Sequence, residues 1–349
     1  MFYRFLFFFL LIAASPLFAT TRFVSPSGMD TGDCSATPCK TFGYVINLAN
    51  TGDTIDAAAG TYNEHDLDVA KNLSFEGATL SNTTLNAGGS GRIITVESGV
   101  TLNISQMTLE NGKVTLSGGA GILNDGTLNL MSVILVNNIA ANNTGGGAIL
   151  NTDGTLTMSS SFIYANQAAY GGGIYNLSLS GTASATLTDD VIIGNSATQG
   201  GGLINVNFGN GANATLTNVI FADNSTSQEG GGIFNLSASA TLNQVTFDAN
   251  SASTGGGIYN ESDGTISVNG GLFNGNSAAD SGGGIFVLGS TVTLTDVTFS
   301  GNTANSGGGL STQTFVDQTT TTATLVNVTF SGNSASEDGG AFFNQSSIA

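Results

Sequence analysis

Short stretches in which apolar and polar residues alternate recur down the chain, among them Ile93-Ile94-Thr95-Val96, Val100-Thr101-Leu102-Asn103-Ile104 and the Ala-Thr-Leu-Thr runs at Leu187 and Leu216. Alternation with period two predicts short strands, each turning one or two apolar side chains inward. Thr-Leu pairs beginning at Thr186, Thr215, Thr241, Thr293 and Thr324 mark successive copies, each with a Val or Ile a few residues on.

Two further patterns punctuate these strands. Glycine-rich phrases such as Gly145-Gly146-Gly147-Ala148-Ile149-Leu150-Asn151 and Gly171-Gly172-Gly173-Ile174-Tyr175-Asn176 occur nine times, with later copies starting at Gly200, Gly230, Gly255, Gly282, Gly307 and Gly339. Between them an apolar residue leads to an Asn three places on: Phe221 to Asn224, Phe247 to Asn250, Phe273 to Asn276, Phe299 to Asn302 and Phe330 to Asn333. Weaker copies are Leu135 to Asn138, Ile163 to Asn166 and Ile192 to Asn195. Successive glycine phrases stand 25 to 32 residues apart, within the range of repeat architectures.

The unit lacks the Ala, Leu, Glu, Lys and Arg at 3.6-residue spacing that helical repeats need. It is also shorter than a four-stranded propeller blade of ~40 residues. One repeat therefore reads as one coil of a solenoid with three short strands, at the Ile-Tyr-Asn, Ala-Thr-Leu-Thr and Val-Thr-Phe phrases. The fold class is all-β: a right-handed parallel β-helix of about 11 to 12 coils stacked ~4.8 Å apart. Glycines suit corners that need positive φ or close approach to the next coil. Phe221, Phe247, Phe273, Phe299 and Phe330 then form an interior aromatic ladder. Asn224, Asn250, Asn276, Asn302 and Asn333 form a structural amide ladder, and Asn124, Asn151, Asn176, Asn205, Asn235 and Asn260 a second one.

Composition narrows the setting. The chain begins Met1-Phe2-Tyr3-Arg4 and continues with ten apolar residues from Phe5 to Ala14, the basic and hydrophobic regions of a secretory signal peptide cut after Ala19. Cys34 and Cys39 are the two cysteines, and export favours a disulfide between them. With 24 acidic and 6 basic residues the formal charge is −18, and every basic residue precedes Val114. Nucleic acid is excluded as a partner because nothing in the repeats neutralises phosphate.

Four segments are expected: a signal peptide over 1–19, an N-terminal cap with a disulfide over 20–52, irregular first coils over 53–117 and regular repeats over 118–349. In the cap, Thr37 and Pro38 suit a helix start, and Phe42, Val45, Ile46 and Ala49 fall on one face. That short capping helix would lid the coil stack.

The array from 118 to 349 resembles the passenger repeats of the chlamydial polymorphic outer membrane proteins, which are marked by Gly-Gly-Ala-Ile and Phe-x-x-Asn motifs. Gly146-Gly147-Ala148-Ile149 and the five Phe-x-x-Asn copies match as written, and most other copies carry Gly-Gly-Gly-Ile. The stretch from Asp33-Cys34 to Pro38-Cys39-Lys40-Thr41, with Gly52-Asp53-Thr54-Ile55 and Gly60-Thr61-Tyr62, is similar to the entry segment of bacterial exported β-helix proteins. The resemblance implies a bacterial protein, secreted or at the outer-membrane surface, with an adhesin-like role. Family members typically end in a membrane β-barrel with a terminal aromatic residue. This sequence reaches Ser347-Ile348-Ala349 inside a repeat, so neither a C-terminal cap nor a barrel is expected.

Parallel β-helices also host pectin-acting lyases and hydrolases, so function rests on site chemistry. A uronate lyase needs a basic proton acceptor and cationic neutralisation, which the repeats lack. A glycosidase needs two carboxyls on one site. Asp189 and Asp190 would face opposite ways in a strand, and Glu261 with Asp263 reads as a solvated turn. No catalytic residue, cofactor or metal site is assigned; single corner acids such as Asp153, Asp263 and Asp280 fall short of a calcium cage. The expected function is non-enzymatic binding of an unknown protein or glycan surface ligand, through inserts at Leu177 to Ala185, Val206 to Ala214 and Ser311 to Thr322. The alternatives are a polysaccharide-acting enzyme and a purely structural surface-layer scaffold. No transmembrane segment is expected in the mature chain, and end-to-end self-association through open coil edges is expected.

Overall fold

The computed structural model describes residues 19–314 and 320–346. The signal-peptide reading falls, apart from Ala19, outside the described residues, as do Ser347 to Ala349 and the middle of the third insert. Among the described residues the chain is a parallel β-helix solenoid: every strand pairing, from Thr21–Val24 with Thr54–Ala57 to Leu310–Thr314 with Phe342–Ser346, is parallel. One sheet stacks eleven strands, from Leu67–Val69 to Phe342–Ser346. Ten turns separate the first from the last, about 48 Å at ~4.8 Å per step.

From the coil that starts at Ile174, each coil up to Asp338 contributes to three sheets. In the coil from Ile174, Ile174–Ser178 joins the eleven-stranded sheet, while Ala183–Thr188 and Val191–Ile193 join an eighteen-stranded sheet. Ser196–Ala197 then forms a two-residue strand in a third sheet of six. That fourth strand is an addition to the three expected per coil. It is too short to carry a hydrophobic alternation, so no pattern announces it.

Alternation decides what lies inside. Ile149, Ile174, Leu203, Ile233, Ile258 and Ile285 follow one another in register and are all fully buried. On the opposite wall Leu187, Leu216, Leu242, Val268 and Leu294 do the same. Glycine is required where the wall turns. A Cβ on Gly232 would stand 2.6 Å from the carbonyl oxygen of Gly257 and 2.7 Å from the ring of Phe247, so any side chain there would force the coils apart.

The entry segment differs from its sequence reading. The helix spans Phe42–Leu48 and its N-cap is Thr41, whose hydroxyl accepts from the Tyr44 N–H at 3.3 Å. Thr37 and Pro38 do not start it, because Cys39 is already committed to a bridge with Val24 and to the disulfide with Cys34. The Glu64 carboxylate, from the first coil, accepts the Phe42 and Gly43 N–H groups at 2.8 and 2.9 Å, supplying the acceptors a helix start needs. Phe42, Val45, Ile46 and Ala49 are buried, with Phe42 against Tyr62 and Phe75 at ring separations of 5.0 and 5.3 Å. Below them Arg22 and Asp53 make a buried ion pair at 2.8 Å. Burial pushes the Asp53 carboxyl upward, but the Asn50 and Thr20 N–H groups and the Arg22 guanidinium hold it below its ordinary value.

Candidate binding face

Two amide ladders lock the coils at fixed corners. Asn224, Asn250, Asn276 and Asn302 are fully buried, and each side-chain amide donates to the carbonyl oxygen of the next, reaching Asn333 at 2.8 to 3.0 Å per step. The same oxygens also accept the backbone N–H of the preceding Asn, as in Asn250 N to Asn276 Oδ1 at 3.0 Å. The second ladder runs from Asn124 to Asn260. Phe221, Phe247, Phe273, Phe299 and Phe330 stack face to face with ring centroids 4.7 to 5.2 Å apart. The disulfide joins Cys34 and Cys39. These residues are scaffold. What can meet a partner lies outside them.

A left-handed residue bends the eighteen-stranded sheet in every regular coil: Ser132, Ser160, Asp189, Asn218, Gln244, Gly270, Asp296 and Asn327 all have φ between 50° and 68°. Each coil thus shows solvent two limbs. The limb before the bend is faced by Thr, Ser and Asn. The limb after it is apolar over four coils: Ile134, Phe162, Val191 and Ile220 follow in register, with Tyr164 and Ile193 alongside. Phe162 is 41%, Tyr164 38% and Ile220 41% exposed, and it is their contiguity on one limb, rather than any one exposure, that marks the strip. Beyond Ile220 the outward positions turn largely polar, with Thr246, Asp248, Asn274, Thr298 and Ser300, Leu272 being an exposed exception in the same column.

Two inserts project from the corner before the first limb. Asp153 builds the first, accepting the Leu179 N–H at 2.8 Å, the Ser180 N–H and the Ser180 hydroxyl at 2.9 Å. Burial nudges this carboxyl up, yet those donors hold it below its ordinary value. The second insert lies on the first through Phe208 N to Ser178 O at 2.8 Å and Asn210 N to Gly181 O at 2.9 Å. Leu179 and Phe208 are exposed at the tips.

The acidic candidates do not converge. Asp189 stands at the bend and accepts from Asn218 at 2.6 Å, whereas Asp190 is fully buried and accepts the Ser161 and Thr188 N–H groups at 2.8 and 2.9 Å. Burial pushes Asp190 up to about 7. Glu261 is not a solvated turn residue: it ends the strand Ile258–Glu261 and accepts the Tyr259 hydroxyl at 3.0 Å. Asp263 is exposed at φ 62°. Among the described residues no three His, Cys, Asp or Glu side chains gather closely enough to hold a metal ion, and no helix is long and apolar enough to cross a membrane.

One ladder escapes the sequence reading. Ile204, Phe234, Tyr259 and Phe286 point outward from the eleven-stranded sheet, yet all are at least 93% buried. The glycine turn of each coil folds back over them, with Gly230 at φ 67° and a Cβ built there 2.8 Å from that of Phe234. The bulky residue in Gly-Gly-Gly-Ile-Phe or Gly-Gly-Gly-Ile-Tyr is the signal that could have revealed it.

Residues 244–261, 270–288, 296–313 and 327–345 match the Chlamydia polymorphic membrane protein repeat. No curated protein sequence matches the chain. Among solved structures, a rhamnogalacturonan lyase is 12% identical, with 89% of this chain and 87% of that chain covered at a TM-score of 0.35. The pectate lyase Pel9A is 11% identical over 88% and 79%, at 0.40, and the pectin methylesterase of Aspergillus niger 13% over 96% and 92%, at 0.31. The chain is a parallel β-helix that carries Chlamydia polymorphic membrane protein repeats.

Proposed function

We propose that the protein is an exported, surface-associated and non-enzymatic binding rod, adhesin-like, whose partner is a protein or glycan on another surface. The observation that carries this reading is the apolar strip of Phe162, Tyr164 and Ile220, exposed on a limb whose later coils are largely polar at the same positions. Contiguous exposed apolar residues rimmed by polar ones mark interaction sites. The ordered tips at Leu179 and Phe208 extend the contact surface. The repeat match supports a bacterial outer-surface location. The four expected segments, with a capping helix over the first coils, describe its organisation.

Labelled protein should adhere saturably to cultured epithelial cells, and the combined variant Phe162→Asp, Tyr164→Asp and Ile220→Asp should lose at least tenfold in binding. Equal binding by the variant, or none by the unmodified protein, overturns the assignment. Polygalacturonate incubated with the protein, with or without Ca²⁺, should release no unsaturated or reducing ends. Release above a heat-killed control would restore the enzyme reading.

A further inference from the structure

The limb before the bend carries a lattice of hydroxyls. In its middle column Thr157, Thr186, Thr215 and Thr241 follow in register, and after Ser267 the column resumes with Thr293 and Thr324. The flanking columns, two residues away on the same strands, are also Thr, Ser and Asn, interrupted only by Met131 and Val326 near the two ends. Oxygens therefore repeat at ~4.8 Å along the solenoid and ~6.7 Å along each strand. The inserts leave the chain at another corner, so their varied lengths do not disturb this register.

Three properties of this face narrow what it fits. Its three columns hold no charged residue from Thr101 to Val326, although the chain has a formal charge of −18; the nearest carboxylates are Asp189 and Asp296, at the bend that borders the face. Polyanions find no cation there. It holds no aromatic ring on which a sugar could stack; Phe162 and Tyr164 lie across the bend. The hydroxyls of Thr157, Thr186, Thr215 and Thr241 make no hydrogen bond to other described residues, so their bonding capacity is open to solvent. Threonine is stiff at χ1, so each methyl and hydroxyl holds its place. Such a grid positions first-shell water in a repeating pattern. A single ordered water nets little once its immobilisation is offset against its hydrogen bonds, but a repeating array acts collectively where the water beyond it is already a crystal. The prism plane of hexagonal ice repeats at intervals close to both spacings.

We propose that the threonine limb is an ice-binding face. It adsorbs to ice by sharing an ordered water layer with the crystal, independently of the apolar strip across the bend. Purified protein observed in a nanolitre osmometer should shape growing ice crystals and open a gap between melting and freezing temperatures. Thr215→Tyr, at the exposed centre of the lattice, should reduce that gap at least tenfold while leaving the unfolding midpoint unchanged. Phe162→Asp, on the other limb, should leave the gap intact. Ice growing as it does in buffer overturns the proposal, as does a Thr215→Tyr protein as active as the unmodified one. Retention on microcrystalline cellulose through Thr215 without any effect on ice also overturns it and assigns the limb to a polysaccharide surface instead.

Discussion

The ring of Phe247 lies 4.7 Å from the ring of Phe273, with 7° between their planes. A near-parallel pair at this separation falls within the stacked arrangements that aromatic rings favour, and the coil register repeats it down the column. Each ring occupies the same register position one coil apart, and both are fully buried. Phe247→Ala removes the contacts on both faces and should cost about 3 to 5 kcal/mol. Phe247→Asp should be worse, because it buries an unpaired charge. Denaturant unfolding checks both; a midpoint equal to that of the unmodified protein would place Phe247 outside the core.

Asn276 is tied in four directions. It accepts the Asn250 backbone N–H and side-chain amide at 3.0 and 2.9 Å, and donates to Phe247 O and Asn302 Oδ1, both at 2.9 Å. Asn276→Ala orphans buried partners on both sides and should destabilise by about 3 kcal/mol, since each unsatisfied buried group costs roughly 1–3 kcal/mol. Exposed Asn274→Ala, two residues away, should shift the unfolding midpoint hardly at all.

Asp190 sets a pH dependence. Its folded value, about 7, stands above the ordinary aspartate value of 3.8 because burial penalises the carboxylate. Between those values the unfolded chain ionises while the folded one keeps its proton. The contribution of Asp190 is therefore fully present below pH ~4, falls as pH rises toward 7 and is constant above. A shift of this size corresponds to roughly 4 kcal/mol. Asp190→Asn should flatten the decline between pH 4 and 7, so that the variant gains on the unmodified protein with rising pH. Parallel pH profiles for the two proteins would remove Asp190 from this role.

The fold was legible because one coil's pattern is written many times: the interval from Phe221 to Phe247 to Phe273 already places those rings in one column. What was not legible depends on contacts that no local pattern encodes. The helix begins at Thr41 rather than Thr37 because Cys39 is held by Val24, and its N–H groups are met by Glu64, 22 residues from Phe42. Phe234 and Tyr259 point outward from their strands. They are nevertheless buried, because the glycine turns close over them. The apolar strip joins residues such as Phe162, Val191 and Ile220, separated in sequence by a full coil, and becomes a surface only once register is known.

The coils are interchangeable units stacked in register. Asn250 and Asn276 are equivalent points 26 residues apart, and Ser251 pairs with Ser277. Excising residues 251–276 should therefore seat Phe273's neighbour Phe299 directly on Phe247 and Asn302 on Asn250, keeping the Phe ladder and the Asn224 to Asn333 ladder continuous, while the second amide ladder ends one step earlier, at Asn235. Small-angle scattering of the excised protein should show a folded rod shortened by ~4.8 Å, with cooperative unfolding retained. An unfolded chain, or a rod of unchanged length, would contradict the solenoid account.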